Sequence, residues 1–141
     1  MYSYKYPRAA LTVDAIVYFK DPDSIRVLLI ERGREPFKNQ WALPGGFIEM
    51  DERLEEACIR ELHEETGLQV NHMEQFRAYD AIDRDPRHRT ISVVFSVQLD
   101  GETQVKGADD ASKADWFSID NLPDLAFDHA DILKDFFRPN S

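Results

Sequence analysis

The stretch GFIEMDERLEEACIRELHEETGL, residues 46–68, decides the fold, because in it a glycine turn leads directly into a strongly acidic helix. Residues 52–66 have the composition of a helix, and Asp51 is its predicted N-cap. Gly67 follows the last apolar position and is placed to end the helix in the left-handed conformation. The segment therefore predicts one helix that is entered from a tight turn.

The acidic residues of this helix are not confined to a solvated face, which is where most acidic helices carry their charge. At about 100° per residue, Glu61 and Glu65 fall inside the apolar arc centred on Cys58, and Glu64 falls just outside it. Like charges three and four residues apart repel each other. Clustered carboxylate oxygens are the ligands that Mg²⁺ and Mn²⁺ prefer. The pattern predicts a divalent cation, Mg²⁺ or Mn²⁺, at a partly shielded helix face.

The spacing of these residues carries a resemblance to a known family. Read from Gly46, the sequence has five residues, Glu52, seven residues and then RELHEETGL at residues 60–68. This resembles the Nudix box with every defining position filled, and the strand pattern on both sides is similar to a whole Nudix domain. The resemblance implies an α/β (α+β) fold, the Nudix-type α-β-α sandwich with a mixed central sheet, in a single domain over residues 1–141.

The same resemblance implies an activity and a set of roles. Nudix proteins hydrolyse the pyrophosphate bond of a nucleoside diphosphate linked to another moiety, with Mg²⁺ or Mn²⁺ as the cofactor. Glu61, Glu64 and Glu65 would bind the metal, and Glu61 would also assist the nucleophilic water. Gly45 would add its carbonyl oxygen to the metal. Arg60 would orient the glutamates through an ion pair. Clustered cations neutralise the diphosphate and present water, so no Ser or Cys nucleophile is needed.

A further acid is expected from the loop before the last strand, as in many members of the family. Residues 108–111 form this loop, and residues 114–117 belong to the strand that follows. Asp110 is favoured over Asp109 because it lies closer to the strand and should be held more firmly. The alternative, a solvated acidic turn beside Lys113, stays open.

Three stretches outside the box are similar to a bacterial and archaeal subgroup assigned to ADP-ribose hydrolysis: residues 35–41, 84–87 and 125–129. They favour ADP-ribose as the substrate, with AMP and ribose 5-phosphate as the products. Arg32, at the end of the second strand, and Arg84, in a hairpin loop, are candidates to hold phosphate or ribose. An arginine in a loop is more often only solvated, and that alternative also stays open.

Two other functions share the same box. A house-cleaning hydrolase of oxidised or non-standard nucleoside triphosphates would apply the same chemistry to another substrate, and the sequence does not separate the two. A non-catalytic, nucleotide-sensing Nudix domain belongs to a different class, that of binding modules. Such a sensor is expected to have lost box glutamates, and none of them is missing here.

Outside the box, the pattern of β-branched and aromatic residues predicts two pairs of strands, at residues 9–19, 25–30, 73–82 and 90–99. The first pair should form a hairpin around a turn at residues 21–24. Asp128 is predicted to cap a helix that packs on the core and runs to about residue 138. His129 is expected to be a capping or surface residue.

Composition excludes several classes of function. With 27 acidic against 17 basic side chains, the net charge is −10, so polymeric nucleic acid is not expected as a partner. No apolar stretch approaches the roughly 20 residues of a membrane span, so no membrane partner is expected either. The single cysteine, Cys58, excludes an internal disulfide, and residues 1–7 lack the pattern of a secretory signal, which together favour the cytoplasm. A small-molecule nucleotide is the expected partner, and the resemblance leaves a homodimer open.

Overall fold

The structure is a computed structural model that describes residues 3–138 of the chain. The sequence analysis predicts a domain over residues 1–141, and residues 1–2 and 139–141 of it lie outside the described residues. Within the described part of the chain, no helix combines the length and the apolar character that crossing a membrane would require.

Two long strands, β1 (Ala10–Lys20) and β2 (Ile25–Arg32), form the predicted hairpin. The turn between them is held by Asp21, whose carboxylate accepts the backbone N–H groups of Asp23 and Ser24 at 2.8 Å each. An aspartate that bonds to the backbone two and three residues ahead stabilises a turn without help from the rest of the fold. This explains why the hairpin could be predicted from local sequence.

A mixed sheet grows from this hairpin. The remaining elements are β3 (Trp41–Ala42), β4 (Gly45–Phe47), α1 (Leu54–Thr66), β5 (Glu74–Tyr79), β6 (Thr90–Gln98), β7 (Ala111–Ser118) and α2 (His129–Phe137). Across residues 3–138 the sheet has seven strands in the order β3-β2-β1-β6-β5, with β4 beside β1 and β7 beside β2. Strand β1 runs parallel to β6 and antiparallel to β2 and β4. The predicted mixed sheet is confirmed.

The two helices cover opposite faces of the sheet, because alternate residues of a strand point to opposite sides. Val13 and Val17 of β1 belong to the core that also contains Leu62 of α1. Ile16, between them, belongs to a second core with Ile132 of α2. Strand β1 is therefore buried on both faces, which accounts for its almost unbroken apolar sequence. The α-β-α sandwich is confirmed.

Helix α1 begins two residues later than predicted. Arg53 is the N-cap, and its backbone N–H donates to the Glu56 carboxylate at 2.8 Å. The prediction that Asp51 caps the helix is therefore wrong. Glu52 stays outside the helix because its carboxylate binds the Arg60 guanidinium at 2.6 and 2.9 Å. The site, and not helix propensity, sets the start of α1.

The other predicted helix boundaries lie where expected, including the end of α2, where Arg138 is the C-cap. Gly67 ends α1 with φ of 78°, and its N–H donates to the His63 carbonyl at 2.9 Å. Asp128 occupies the N-cap of α2, but its side chain makes no cap hydrogen bond. It binds Arg84 instead, at 2.6 and 2.9 Å. The cap prediction is right in position and wrong in the role of the side chain.

Strand β5 is shorter than the predicted residues 73–82. It ends at Tyr79, and Arg89 then donates to the carbonyls of Asp80 at 2.7 Å and Ala81 at 3.2 Å. These two bonds use carbonyls that would otherwise continue the ladder to β6. The chain leaves the sheet there and forms a loop that reaches the candidate site.

Candidate active site

A cleft of about 390 Å³ opens where β1, β2, β4 and α1 meet at one edge of the sheet. Seven of the eight site residues predicted from the sequence line it: Arg32, Gly45, Arg60, Glu61, Glu65, Arg84 and Asp110. Glu64 is the exception: its side chain is 41% exposed and accepts a hydrogen bond from Arg60, which does line the cleft. Residues that are distant in sequence thus converge on one concave surface, which is the usual form of a small-molecule site.

Arg60 connects the acidic residues of the box. Its Nη1 group donates to Glu61 at 2.9 Å and to Glu64 at 3.2 Å, and its Nε and Nη2 groups bind Glu52. Nη2 also donates to the carbonyl of Phe47 at 3.2 Å. One guanidinium therefore ties the loop before α1 to two carboxylates of the helix, which is the orienting role that the resemblance implies.

Two carboxylates of α1 are withdrawn from solvent. Glu65 is 6% exposed and accepts the backbone N–H of Gly45 at 2.8 Å. Burial raises the pKa of Glu65 to about 8 in spite of that bond. Burial also raises the pKa of Glu61 to about 6, against the opposing effect of Arg60. Holding both groups ionised is costly in the absence of a nearby cation, because desolvation and mutual repulsion disfavour the charged forms.

The chemistry of this donor set fits a divalent metal. Glu61 and Glu65 offer hard oxygen ligands with excess negative charge, and Gly45 offers a backbone carbonyl at the same edge of the cleft. Among residues 3–138, however, no three His, Cys, Asp or Glu side chains stand close enough together to form a complete metal site. The physical reason is that Arg60 holds Glu61 and Glu64, whereas Glu65 is turned to the N–H of Gly45.

The glycines of β4 allow the backbone to approach the carboxylates closely. A Cβ added to Gly46 would lie 2.6 Å from a Glu61 carboxylate oxygen, and one added to Gly45 would lie 2.1 Å from the Val13 carbonyl. Neither distance is compatible with a real side chain. Gly46 is therefore required by the position of the Glu61 carboxylate, and Gly45 by the close approach of β4 to β1.

Replacing Gly46 by alanine is expected to displace the Glu61 carboxylate and to lower kcat by about tenfold or more, equivalent to about 1.4 kcal/mol. The displaced group is the flexible end of a side chain, so we expect the fold to persist. Gly101→Ala is the matched control, because an added Cβ there meets no atom of residues 3–138 within 4 Å. Steady-state kinetics and thermal melts of both variants check the prediction. Equal kcat values for the two variants would contradict it.

A buried polar network that sequence reasoning missed lies behind the carboxylates. Asp14 of β1 is 7% exposed and accepts a hydrogen bond from the Ser92 hydroxyl. Its Oδ2 lies 3.7 Å from Nε2 of His129. Nδ1 of His129 accepts the Leu43 N–H at 3.0 Å, so the proton of the neutral ring sits on Nε2, toward Asp14.

His129 is only 4% exposed, so the expectation of a capping or surface histidine is wrong. Its burial lowers its pKa. One sequence signal pointed to this region, namely Asp14 as a single acid inside the apolar run of β1. No comparable signal marked His129, because its partners belong to β1 and to the segment between β3 and β4.

The loop before β7 brings both candidate acids to the cleft. Asp110 pairs with Arg34, with 47% of its side chain exposed, and its backbone carbonyl accepts the Gly33 N–H at 3.0 Å. Asp109 adopts φ of 55°, and its charge contributes to the raised pKa of Glu61. Both aspartates line the cleft together with Glu61 and Glu65 of α1.

The arginines of the cleft differ in how they are held. Arg84 is not a solvated loop residue: its side chain is 4% exposed and forms a two-bond ion pair with Asp128. Arg32 donates through Nε to the Pro36 carbonyl at 2.7 Å, and its guanidinium lies 5.0 Å from the centroid of the Phe127 ring. Both therefore present fixed cationic groups to the cleft.

Comparison with known proteins agrees with this geometry. The sequence model of the NUDIX domain matches residues 10–136. The ADP-ribose pyrophosphatase of Methanocaldococcus jannaschii is 45% identical over 133 residues, which are 94% of this chain and 76% of that protein.

Two solved structures extend the comparison. The NUDIX domain of Shewanella oneidensis NrtR complexed with ADP ribose superposes with a TM-score of 0.88 and 28% identity, covering 96% of this chain and 91% of that one. A bifunctional NMN adenylyltransferase/ADP ribose pyrophosphatase of Francisella tularensis, complexed with AMP and a manganese ion, has a TM-score of 0.86 and 33% identity. It covers 96% of this chain, which spans 43% of that longer protein.

Proposed function

This chain belongs to the Nudix family, and from that premise we propose that it hydrolyses ADP-ribose to AMP and ribose 5-phosphate with a divalent cation as cofactor. The observation that carries the proposal is the convergence of the box residues Glu61, Glu65 and Arg60 with two arginines from other parts of the chain on one cleft. The archaeal relative named as an ADP-ribose pyrophosphatase supports the choice of substrate, as do the two similar structures that contain ADP-ribose or AMP.

The box residues supply the acidic groups of the proposed site, which would bind the metal. We propose Glu61, Glu64 and Glu65 as the metal ligands, with the Gly45 carbonyl as a further one. When bound, Mg²⁺ or Mn²⁺ would neutralise the diphosphate and position water. Arg60 holds Glu61 and Glu64 beside the cleft before the metal binds. The resemblance also makes Glu61 the residue that assists the attacking water.

The arginines of the cleft would bind the anionic groups of the substrate that the metal does not neutralise. We propose that Arg32 and Arg84 contact phosphate or ribose, as the sequence predicts. Within the described part of the chain, Arg84 donates to Asp128 through Nε and Nη2, which leaves Nη1 for a ligand. A guanidinium that is already fixed loses less side-chain entropy on binding than a free one.

The setting of the reaction is also a proposal. Cys58 is a free, fully buried thiol, which agrees with a reducing compartment such as the cytoplasm. The net charge of −10 supports a small nucleotide over polymeric nucleic acid as the partner. A homodimer is open to a direct test by light scattering coupled to size-exclusion chromatography.

Chromatography of the reaction products tests the proposed function. The chain is incubated with ADP-ribose and Mg²⁺ or Mn²⁺, and we expect equal amounts of AMP and ribose 5-phosphate. Calorimetric binding of ADP-ribose without any product would favour the sensor alternative. Turnover of nucleoside triphosphates without turnover of ADP-ribose would favour the house-cleaning alternative. Either result would overturn the proposal.

The loop acid has its own test, which compares Asp110→Asn with Asp109→Asn. We propose Asp110 as the acid that completes the site, and so expect its replacement to lower kcat by about tenfold or more, or about 1.4 kcal/mol. Asp109→Asn, with the same loss of charge one residue away, is the control, and kcat and KM are measured for each. Equal, small effects would return both residues to the role of a solvated turn.

A further inference from the structure

Two arginines from distant parts of the chain share one aromatic ring inside the cleft. The Arg32 guanidinium lies 5.0 Å from the centroid of the Phe127 ring, and that of Arg87 lies 5.9 Å from the same centroid. Arg87 also lies 5.5 Å from the ring of Phe47 in β4. Both cations are among the residues that line the cleft. The charge of Arg87 acts on Arg32, so an anion that binds between them would interact favourably with both guanidinium groups.

Arg32 is held so that most of its guanidinium is available. Among the described residues it makes one side-chain hydrogen bond, from Nε to the Pro36 carbonyl, and none to a carboxylate. Burial, and next the charge of Arg87, lower the pKa of Arg32, and they outweigh the opposite effect of Glu65. The two terminal nitrogens of Arg32 remain to donate to a ligand.

Arg87 is fixed in a different way. The side chain of Asp85 is 3% exposed, and its carboxylate accepts hydrogen bonds from Nε of Arg87 at 3.1 Å and from Nη2 at 2.8 Å. The same carboxylate accepts the Arg87 backbone N–H at 2.9 Å. The third nitrogen, Nη1, has no such partner within residues 3–138. A buried carboxylate thus aims the guanidinium and leaves one edge of it open.

Phe127, between the two arginines, holds an unusual backbone conformation. Its φ is 55°, which a bulky residue other than glycine rarely adopts. The Phe37 ring packs edge-on against it at 4.8 Å, and the next residue but one is the buried His129. Such strain persists only where the surroundings enforce it, and it concentrates at functional sites.

We propose that Arg32 and Arg87 form an anion-binding pair around Phe127. This pair of arginines holds a phosphate of the diphosphate substrate, so that Arg87 is a substrate-binding residue. The choice of the substrate's diphosphate rests on the proposed function, whereas the anion site itself rests on the geometry alone. Arginine binds phosphate oxygens through two parallel N–H groups, which lysine does not. Fixed donors on a rigid ring lose little freedom when the anion binds.

Binding of inorganic pyrophosphate, measured by calorimetry in EDTA, tests the pair without any contribution from metal or from turnover. We expect Arg32→Gln and Arg87→Gln each to weaken binding about tenfold or more relative to the unaltered chain. Arg77→Gln is the matched control, because Arg77 lies on β5, pairs with Asp135 and is outside the cleft. Arg87→Lys keeps the positive charge but lacks the two parallel N–H donors of a guanidinium, so it should bind pyrophosphate more tightly than Arg87→Gln and more weakly than the unaltered chain. Unchanged binding in both glutamine variants would overturn the inference.

The unaltered chain supplies a second measurement that does not depend on the folding of any variant. Pyrophosphate should shift the Nε–H resonances of Arg32 and Arg87 in a saturable manner, and leave that of Arg77 in place. No shift at either residue would overturn the inference. If these shifts appear and ADP-ribose is not cleaved, the anion pair stands and the proposed function fails. If ADP-ribose is cleaved and the resonances do not move, the opposite conclusion follows.

Discussion

Chelation of divalent cations with excess EDTA is expected to reduce hydrolysis of ADP-ribose to the background rate. Glu65 is buried and Glu61 is partly buried, and the raised pKa of each reflects the cost of keeping it ionised without a cation. Arg60 supplies one positive charge, which is already shared with Glu52. The diphosphate adds further negative charge to the same cleft, so the attacking water cannot be activated and positioned without metal, even where the arginines hold the substrate.

The control for chelation is recovery of the rate. Adding Mg²⁺ or Mn²⁺ in excess of the chelator should restore turnover, and the melting temperature in EDTA should show that the fold persists. The tightly packed cores on both faces of the sheet give no structural role to the metal. Turnover that continues undiminished in excess EDTA would remove the metal from the mechanism.

Glu64→Gln is expected to lower kcat about a hundredfold or more, which corresponds to about 2.7 kcal/mol of lost transition-state stabilisation. The substitution keeps the size of the side chain and removes one proposed metal ligand. Glu64 is 41% exposed and, among residues 3–138, its carboxylate binds Arg60 alone, at 3.2 Å, so we expect the fold to persist without it. Loss of a charge that repels Glu61 should leave the melting temperature equal or higher.

Glu102→Gln is the matched control for this prediction. It removes the same charge from an exposed side chain that is not part of the cleft. We expect its kcat to equal that of the unaltered chain. A Glu64→Gln variant that folds and retains full kcat would exclude Glu64 as a metal ligand, and the box would then act through Glu61 and Glu65 alone.

The elements that could be predicted are those set by local sequence. Helix α1 follows from apolar spacing and from Gly67, whose left-handed conformation ends it. The β1–β2 hairpin follows from Asp21, which bonds to its own turn. Strands β3 and β4 have two and three residues, which is too short for an alternation of apolar and polar residues to reveal them. The parallel pairing of β1 with β6 joins residues about eighty apart, and no local rule contains it.

The candidate site likewise contains residues that local sequence predicts and residues that only the folded chain brings together. The box glutamates and Arg60 lie within one helix and the loop before it, so their spacing alone brings them together. Arg84 could be found as a candidate, but its burial depends on Asp128, 44 residues away. The network of Asp14 and His129 joins β1 to α2, and only the folded chain shows it. Sequence reasoning therefore finds the box helix and the candidate arginines, and misses the buried network that lies behind them.

The most direct test of the proposed function is a competition in one reaction that contains ADP-ribose, dATP and Mg²⁺. Chromatography of the products over time gives the ratio of the two kcat/KM values, without any difference in enzyme preparation or metal content. We predict that AMP and ribose 5-phosphate form faster than dAMP and pyrophosphate, so that the ratio favours ADP-ribose. A ratio that favours dATP would contradict the assignment of ADP-ribose as the substrate of this cleft.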